Sequence, residues 1–248
     1  MPMRIRPWLI FAPLLAAQAM LALGQTAPAG AQSTVLASGH FDSIPEMGVY
    51  FRIYGARLGA GQHATYAGSN ALLYELEGSA AIDIDGTPQD LAAERAAFVP
   101  AGRVTTIRAA GPEAAVLLVF VLSPVPNQRR PVFDRPAVVR ELFRTEEPLQ
   151  GLHPGPYRFS LSRVSMPPGT PAEPSHHRSG AAVDFILAGV GAVTADGKSE
   201  PRQRGEAQFE PAGSAQRWEN PGEAPLVLLQ AAVSPEGEPA VVPAPPVR

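Results

Sequence analysis

The residues of this chain with the most chemical capacity lie in its second half. His176, His177 and Arg178 follow Pro174-Ser175, and Asp184 interrupts the apolar run Ala181-Ala-Val-Asp-Phe-Ile-Leu187. Imidazole and carboxylate in one cavity serve either a transition-metal ion or proton transfer. A lone carboxylate among apolar side chains is costly to bury and needs a partner. Arg178 is the nearest candidate, so a structural Arg–Asp pair and a catalytic Asp184 both stand open. His176 and His177 are adjacent; on a strand they point to opposite faces, so both do not reach one ion. In a loop they are simply solvated. Gln216 and Trp218 share a strand parity. Arg178 suits a ligand carboxylate, and Trp218 either covers an apolar ligand face or fills an interior. In the first half, Glu75 within Leu72-Leu-Tyr-Glu-Leu-Glu-Gly78 poses the same question, with Arg57 or Arg52 as expected partner. No nucleophile elbow, P-loop or dinucleotide glycine pattern is present.

The elements that position these residues are written twice. Phe98-Val-Pro-Ala-Gly102 returns as Phe209-Glu-Pro-Ala-Gly213, a shift of 211 − 100 = 111 residues. Asp85-Gly86, Gly78 and Ser123-Pro124 return at the same shift as Asp196-Gly197, Gly189 and Ser234-Pro235. A period this long exceeds that of solenoid repeats and predicts two tandem copies of one domain. Each copy is β-rich. Ile82-Asp-Ile-Asp85 alternates with period two and meets an Asp-Gly hairpin turn. Val116–Leu122 and Leu226–Leu229 read as buried strands. Val138–Phe143 reads as a short helix or a strand.

The chain's start has a different character. Arg4 and Arg6 precede an apolar stretch from Trp8 to Leu23, and Ala29-Gly30-Ala31 offers a small-residue cleavage site. This is the pattern of a secretory signal peptide over 1–31, which predicts a bacterial periplasmic or secreted protein with no stable membrane anchor after cleavage. The remaining chain carries a net charge near −3 − 2 = −5 and no cysteine. It is not a nucleic-acid partner by charge, and its folding relies on apolar cores rather than disulfides. The expected layout is a first domain over 35–126, a linker over 127–131, a second domain over 132–235 and a Pro-rich tail over 236–248, extended or disordered.

The turn residues carry a family resemblance. Gly205 precedes Pro211-Ala-Gly213 and Asn220 follows; Pro100-Ala-Gly102 repeats the element in the first copy. This frame resembles the cupin superfamily, and the duplication resembles a bicupin. The resemblance implies an all-β chain of two double-stranded β-helix (jelly-roll) barrels, each with a small-molecule pocket in its mouth. Many cupins hold a divalent transition metal there with three His and one Glu. Carried onto this chain from Gly189, the ligand positions fall on His176, Arg178, Ala182 and Gln216; in the first copy they fall on Thr65, Ala67, Ala71 and Thr105. A shifted set is His176, Asp184 and Gln216 in the second copy, or His63, Glu75 and Thr105 in the first. The leading expectation is an exported bicupin that binds a small polar or anionic molecule in its second barrel through Arg178, Gln216 and Trp218, without a full metal site. The alternatives are a cupin-type oxygenase, isomerase or lyase using a metal or His176 and Asp184 as acid and base, and a scaffold module, with oligomerisation compatible with each.

Overall fold

The structure is a computed structural model and describes residues 30–42, 48–127, 132–172, 174–195 and 197–243. The leader pattern over residues 1–29 and most of the linker, 128–131, lie outside the described residues. The first nine strands are β1 (Gln32–Phe41), β2 (Val49–Leu58), β3 (His63–Tyr66), β4 (Ala71–Glu77), β5 (Ser79–Ile84), β6 (Thr87–Ala92), β7 (Ala96–Val99), β8 (Thr105–Ala109) and β9 (Ala115–Pro124). Ten more follow: β10 (Val138–Arg144), β11 (Tyr157–Met166), β12 (His176–Arg178), β13 (Ala181–Ala188), β14 (Val190–Ala195), β15 (Lys198–Gln203), β16 (Ala207–Glu210), β17 (Gln216–Glu219), β18 (Leu226–Pro235) and β19 (Val241–Pro243). The chain is all-β, as the turn pattern implied. Val138–Phe143 resolves as strand, because its backbone completes the edge of β2.

Four antiparallel sheets form two barrels. The first barrel faces β10-β2-β9-β4-β7 against β3-β8-β5-β6; the second faces β1-β11-β18-β13-β16 against β15-β14-β17-β12-β19. The two copies exchange strands. β1, at the start of the chain, pairs along β11 of the second copy, whereas β10, from the second copy, pairs along β2 of the first. The boundaries 35–126 and 132–235 therefore describe the repeat in sequence, and sheet membership crosses them. Both exchanged strands carry a bulge, at Val35/Ala37 and at Glu141/Phe143.

The repeated glycines have a shared steric reason. Gly78 and Gly189 hold φ of 85° and 82°, and a Cβ there would stand 2.3 Å from Ala114 O and 2.5 Å from Pro225 O. Only glycine combines that φ with that approach. Asn220, at a family position, is likewise structural: its amide donates to the carbonyls of Met166, Pro167 and Ala224 and accepts from Gly222 N.

Strand alternation then sorts the buried apolar side chains into three regions, the smallest of them Met166, Ile186, Val193, Trp218, Leu226 and Leu228 within the second barrel. Leu73, Val99, Ile107 and Val119 fill the first barrel. Phe51, Leu72, Phe120, Phe159, Val183, Leu229 and Val233 form a core between the barrels. The outward faces of β2, β4, β9, β11, β13 and β18 thus meet one another rather than water, and the pairing of barrels is satisfied within one chain. Within the tail, Val241–Pro243 is extended as a short strand, paired with His176–Arg178.

Candidate functional site

Beside its own apolar cluster of Met166, Ile186, Val193, Leu226 and Leu228, the second barrel buries polar side chains at positions that are apolar in the first. Because β11, β13 and β18 turn their odd-numbered apolar side chains to the neighbouring barrel, their even-numbered residues face inward. Asp184 is fully buried; its carboxylate accepts from Trp218 Nε1 at 2.8 Å and from Gln230 Nε2 at 2.9 Å. Glu210, 1% exposed, accepts from Arg178 Nε at 2.7 Å, and its other oxygen lies 3.2 Å from His176 Nε2. Burial first, and the charge of Glu210 second, push the Asp184 carboxyl up from its ordinary value. Burial also works to raise Glu210, but the His176 hydrogen bond and the Arg178 charge outweigh it and hold Glu210 low. Within this pair, Asp184 is the group that takes a proton first.

A cavity of about 400 Å³ opens beside this network, walled by Ser33, Ser38, Ser160, Ser162, Ser234, Arg158, Arg178 and Gln230 and closed by tail residues Glu236 to Val241. A second lobe of about 220 Å³ adjoins it, sharing Ser33, Arg178, Gln230 and Val241 and adding His176, Trp218 and Met166. Arg178 lies on both walls although it is only 4% exposed.

The first barrel provides an internal control. At the 111-residue shift, Asp184, Glu210, Trp218 and Gln230 correspond to Leu73, Val99, Ile107 and Val119, all in the apolar filling. Ladder register makes Ser162, opposite Gln230, the counterpart of Tyr54, opposite Val119; Ser160 is the counterpart of Arg52. Arg52 is ion-paired with Glu141, donates from Nε to it at 3.1 Å and stands 4.9 Å from the Tyr54 ring centre. These three side chains plug the first barrel. Its equivalent cavity, lined by Arg52, Tyr54, Ala67, Val121 and Ser123, is about 20 Å³.

The sequence-derived candidates sort accordingly. His176, Arg178 and Trp218 line the second-barrel cavity. Asp184 sits behind Trp218 and Gln230, and its ion-pair partner is not Arg178, which binds Glu210 instead. Gln216 donates to Phe209 O at 3.0 Å and is absent from the walls of both lobes. In the first copy, His63 is exposed and opposite Arg108, while Thr105 is buried opposite Tyr66. Glu75 accepts from Val116 N at 3.1 Å rather than pairing with Arg57 or Arg52. His63, Glu75 and Thr105 make no contact with one another among the hydrogen bonds and ion pairs of the described residues. Glu210, Gln230 and the serines were missed. Glu210 had a signal: it replaces Val99 within an otherwise repeated pentapeptide.

The donor set does not suit a divalent metal. Both Asp184 oxygens already accept hydrogen bonds, and the guanidinium of Arg178, at a position where the cupin pattern has its second imidazole, places a fixed positive charge in the cavity beside Glu210. A second cation there meets direct repulsion. Among the described residues, no group of three His, Cys, Asp or Glu is placed to hold a metal ion.

Two antiparallel barrels joined back to back, with different side chains at equivalent interior positions, define a duplicated β-barrel protein; cavities of about 340 and 380 Å³ also border Gly68, Gly102 and Asn127 of the first copy, away from the position equivalent to the second-barrel cavity. Residues 162–231 match the cupin domain family. The fold is similar to that of oxalate decarboxylase from Bacillus subtilis, in a tryptophan-to-tyrosine variant (TM-score 0.57, 15% identity, 82% of this chain and 78% of that one), and of oxalate decarboxylase from Lactobacillus farciminis in a formate complex (TM-score 0.56, 12% identity, 82% and 88%). A segment of 73 residues is 36% identical to mannose-1-phosphate guanylyltransferase of Klebsiella pneumoniae, covering 29% of this chain and 16% of that protein. The chain thus spans about a sixth of the length of the curated relatives it matches. The second copy thus carries a cupin domain, the whole chain has the two-barrel fold of these solved structures, and neither copy keeps the three-His, one-Glu ligand pattern.

Proposed function

We propose that this bicupin binds a small polar or anionic molecule in its second barrel, with Arg178 and Arg158 engaging an acidic group and the serine wall engaging hydroxyls or further oxygens. One observation carries the reading. At equivalent positions, the first barrel holds Arg52, Tyr54 and Glu141 around about 20 Å³, and the second holds Ser160, Ser162 and Val35 around about 400 Å³. A cavity of that size falls within the range of small-molecule sites. The buried Arg178 presents a preorganised, charge-assisted donor to an anion. The basic, apolar and small-residue pattern of residues 4–31 supports placing this binding outside the cytoplasm.

Thermal-shift screening of the purified protein with organic acids and sugars tests the proposal. A stabilising ligand is expected whose effect is lost in Arg158→Ala and in Ser162→Tyr, the latter placing in the second barrel the ring that Tyr54 contributes to the first barrel's plug. A ligand whose effect both variants leave intact, or a panel without a hit, overturns it.

A second reading has its own observation. His176 lines the smaller lobe, with its Nε2 backed by a buried carboxylate, which is the arrangement of an oriented acid–base catalyst. Turnover of a bound ligand, lost in His176→Gln while binding persists, would establish an enzyme; binding without turnover removes this reading.

A further inference from the structure

We propose that the ligand of the second barrel is zwitterionic: its anionic group meets Arg158 and Arg178, and its cationic group meets Glu236 and Glu238, supplied by the tail. The inference deepens the binding reading above and rests on it. After Pro235 the chain does not leave the barrel. Glu236 N donates to Pro156 O at 2.9 Å, Gly237 turns the chain at φ 83°, and β19 then adds to β12 over Val241–Pro243. The strand it covers is the one that carries His176 and Arg178. Residues 236–241 consequently form one wall of the 400 Å³ cavity.

The tail brings acidic side chains to a cavity that Arg158 of β11 and Arg178 of β12 also line, yet the two signs do not neutralise each other. Glu236 pairs with His40 Nδ1 at 2.9 Å, and Arg178 pairs with Glu210. Among the described residues neither Arg158 nor Glu238 takes part in an ion pair, and none joins an arginine to a glutamate across the cavity. Acids placed to quench the arginines would sit against them. A purely anionic ligand would bring its charge against Glu236 and Glu238, a repulsion that a specificity site uses to reject partners. A molecule with one charge of each sign satisfies both the arginines and the tail glutamates, and the serines of the same cavity suit its polar remainder.

The test is isothermal titration of the full-length mature protein with ω-amino acids of graded chain length, set against dicarboxylates and monoamines of matching length. At the best length the amino acid is expected to bind at least about tenfold more tightly than either matched compound. In the Glu236→Gln/Glu238→Gln double variant that preference is expected to vanish, with dicarboxylate binding equal or improved. Both residues are surface groups, and the His40 contact is an exposed pair of small energetic value, so folding is expected to persist. Dicarboxylates binding as well as amino acids overturn the zwitterion and leave the anion site standing. A preference that survives in the double variant overturns the role of the tail. Absence of binding by every compound overturns both readings.

Discussion

The buried Arg178–Glu210 pair allows a quantitative test in which the protein supplies its own control. Replacing Glu210 with Val, the residue at the equivalent position 99, strands the guanidinium of Arg178 in a site that is 4% exposed. Removing one partner of a buried pair typically destabilises by about 3–5 kcal/mol. Asp184 remains near enough to feel the Arg178 charge, so the expected loss lies at the low end, about 3 kcal/mol, or about 6–12 °C in Tm for a chain of this size. Adding Arg178→Ala recreates the first barrel's own combination, Ala67 with Val99, which is compatible with a folded cupin barrel. The double variant is then expected to recover at least about 2 kcal/mol relative to Glu210→Val, a coupling energy of the size found for contacting charged residues. Urea denaturation of wild type, both single variants and the double variant gives the cycle from the shifts in midpoint. Strict additivity, with the double variant as unstable as the two losses summed, would refute the view that these two charges hold each other in the barrel.

Three other predictions concern single sites. Glu75 is fully buried in the first barrel, and desolvation pushes its carboxyl up to about 7 despite the hydrogen bond from Val116 N. Its folded-state pKa is raised, so the folded state binds more protons and stability falls as pH rises from about 4.5 to about 7; Glu75→Gln is expected to match wild type near about pH 3, where the carboxyl is neutral in both folded and unfolded chains, and to exceed it by up to about 3 kcal/mol above about pH 8, measured by urea denaturation across pH, and equal curves would contradict it. Ser162→Tyr is expected to fold, to change Tm by no more than a few degrees and to exclude ligand, read by thermal shift with and without the best acid of the screen. Gly189→Ala forces a Cβ to 2.5 Å from Pro225 O at φ 82° and is expected to destabilise by more than about 1 kcal/mol; a neutral result in chemical denaturation would show that the β13–β14 turn relaxes freely.

Much of the fold was legible in the chain because turns demand particular residues. Asp-Gly, Pro-x-Gly and the repeated Gly78/Gly189 are fixed by φ and by backbone approach, so they survive duplication and mark the barrels. Strand exchange was not legible: β1 and β10 have no local feature that distinguishes pairing within a copy from pairing across copies. The site was half legible. His176, Arg178 and Trp218 are residue types that attract attention, and they do line the cavity. Ser160 and Ser162 escaped because Tyr157-Arg-Phe-Ser-Leu-Ser162 alternates as a half-exposed strand does, with serines nominally facing water. Here the apolar face of β11 is claimed by the neighbouring barrel, which turns the serine face into the cavity. Asp184 drew attention for its burial, and its partners proved to be Trp218 and Gln230, since Arg178 is held by Glu210 on the adjacent β16. The tail's proline content points to an extended or disordered segment; that part of it pairs as β19 depends on an open edge of β12 that no local sequence feature advertises.

The asymmetry between a plugged first barrel and an open second one is the centre of this account. Its most direct test is the stoichiometry of binding, by titration calorimetry of wild type and Ser162→Tyr with the strongest ligand of the acid and amino-acid panels. The account predicts one site per chain in wild type and none in the variant. Two sites per chain, or one site that Ser162→Tyr leaves unchanged, would contradict it.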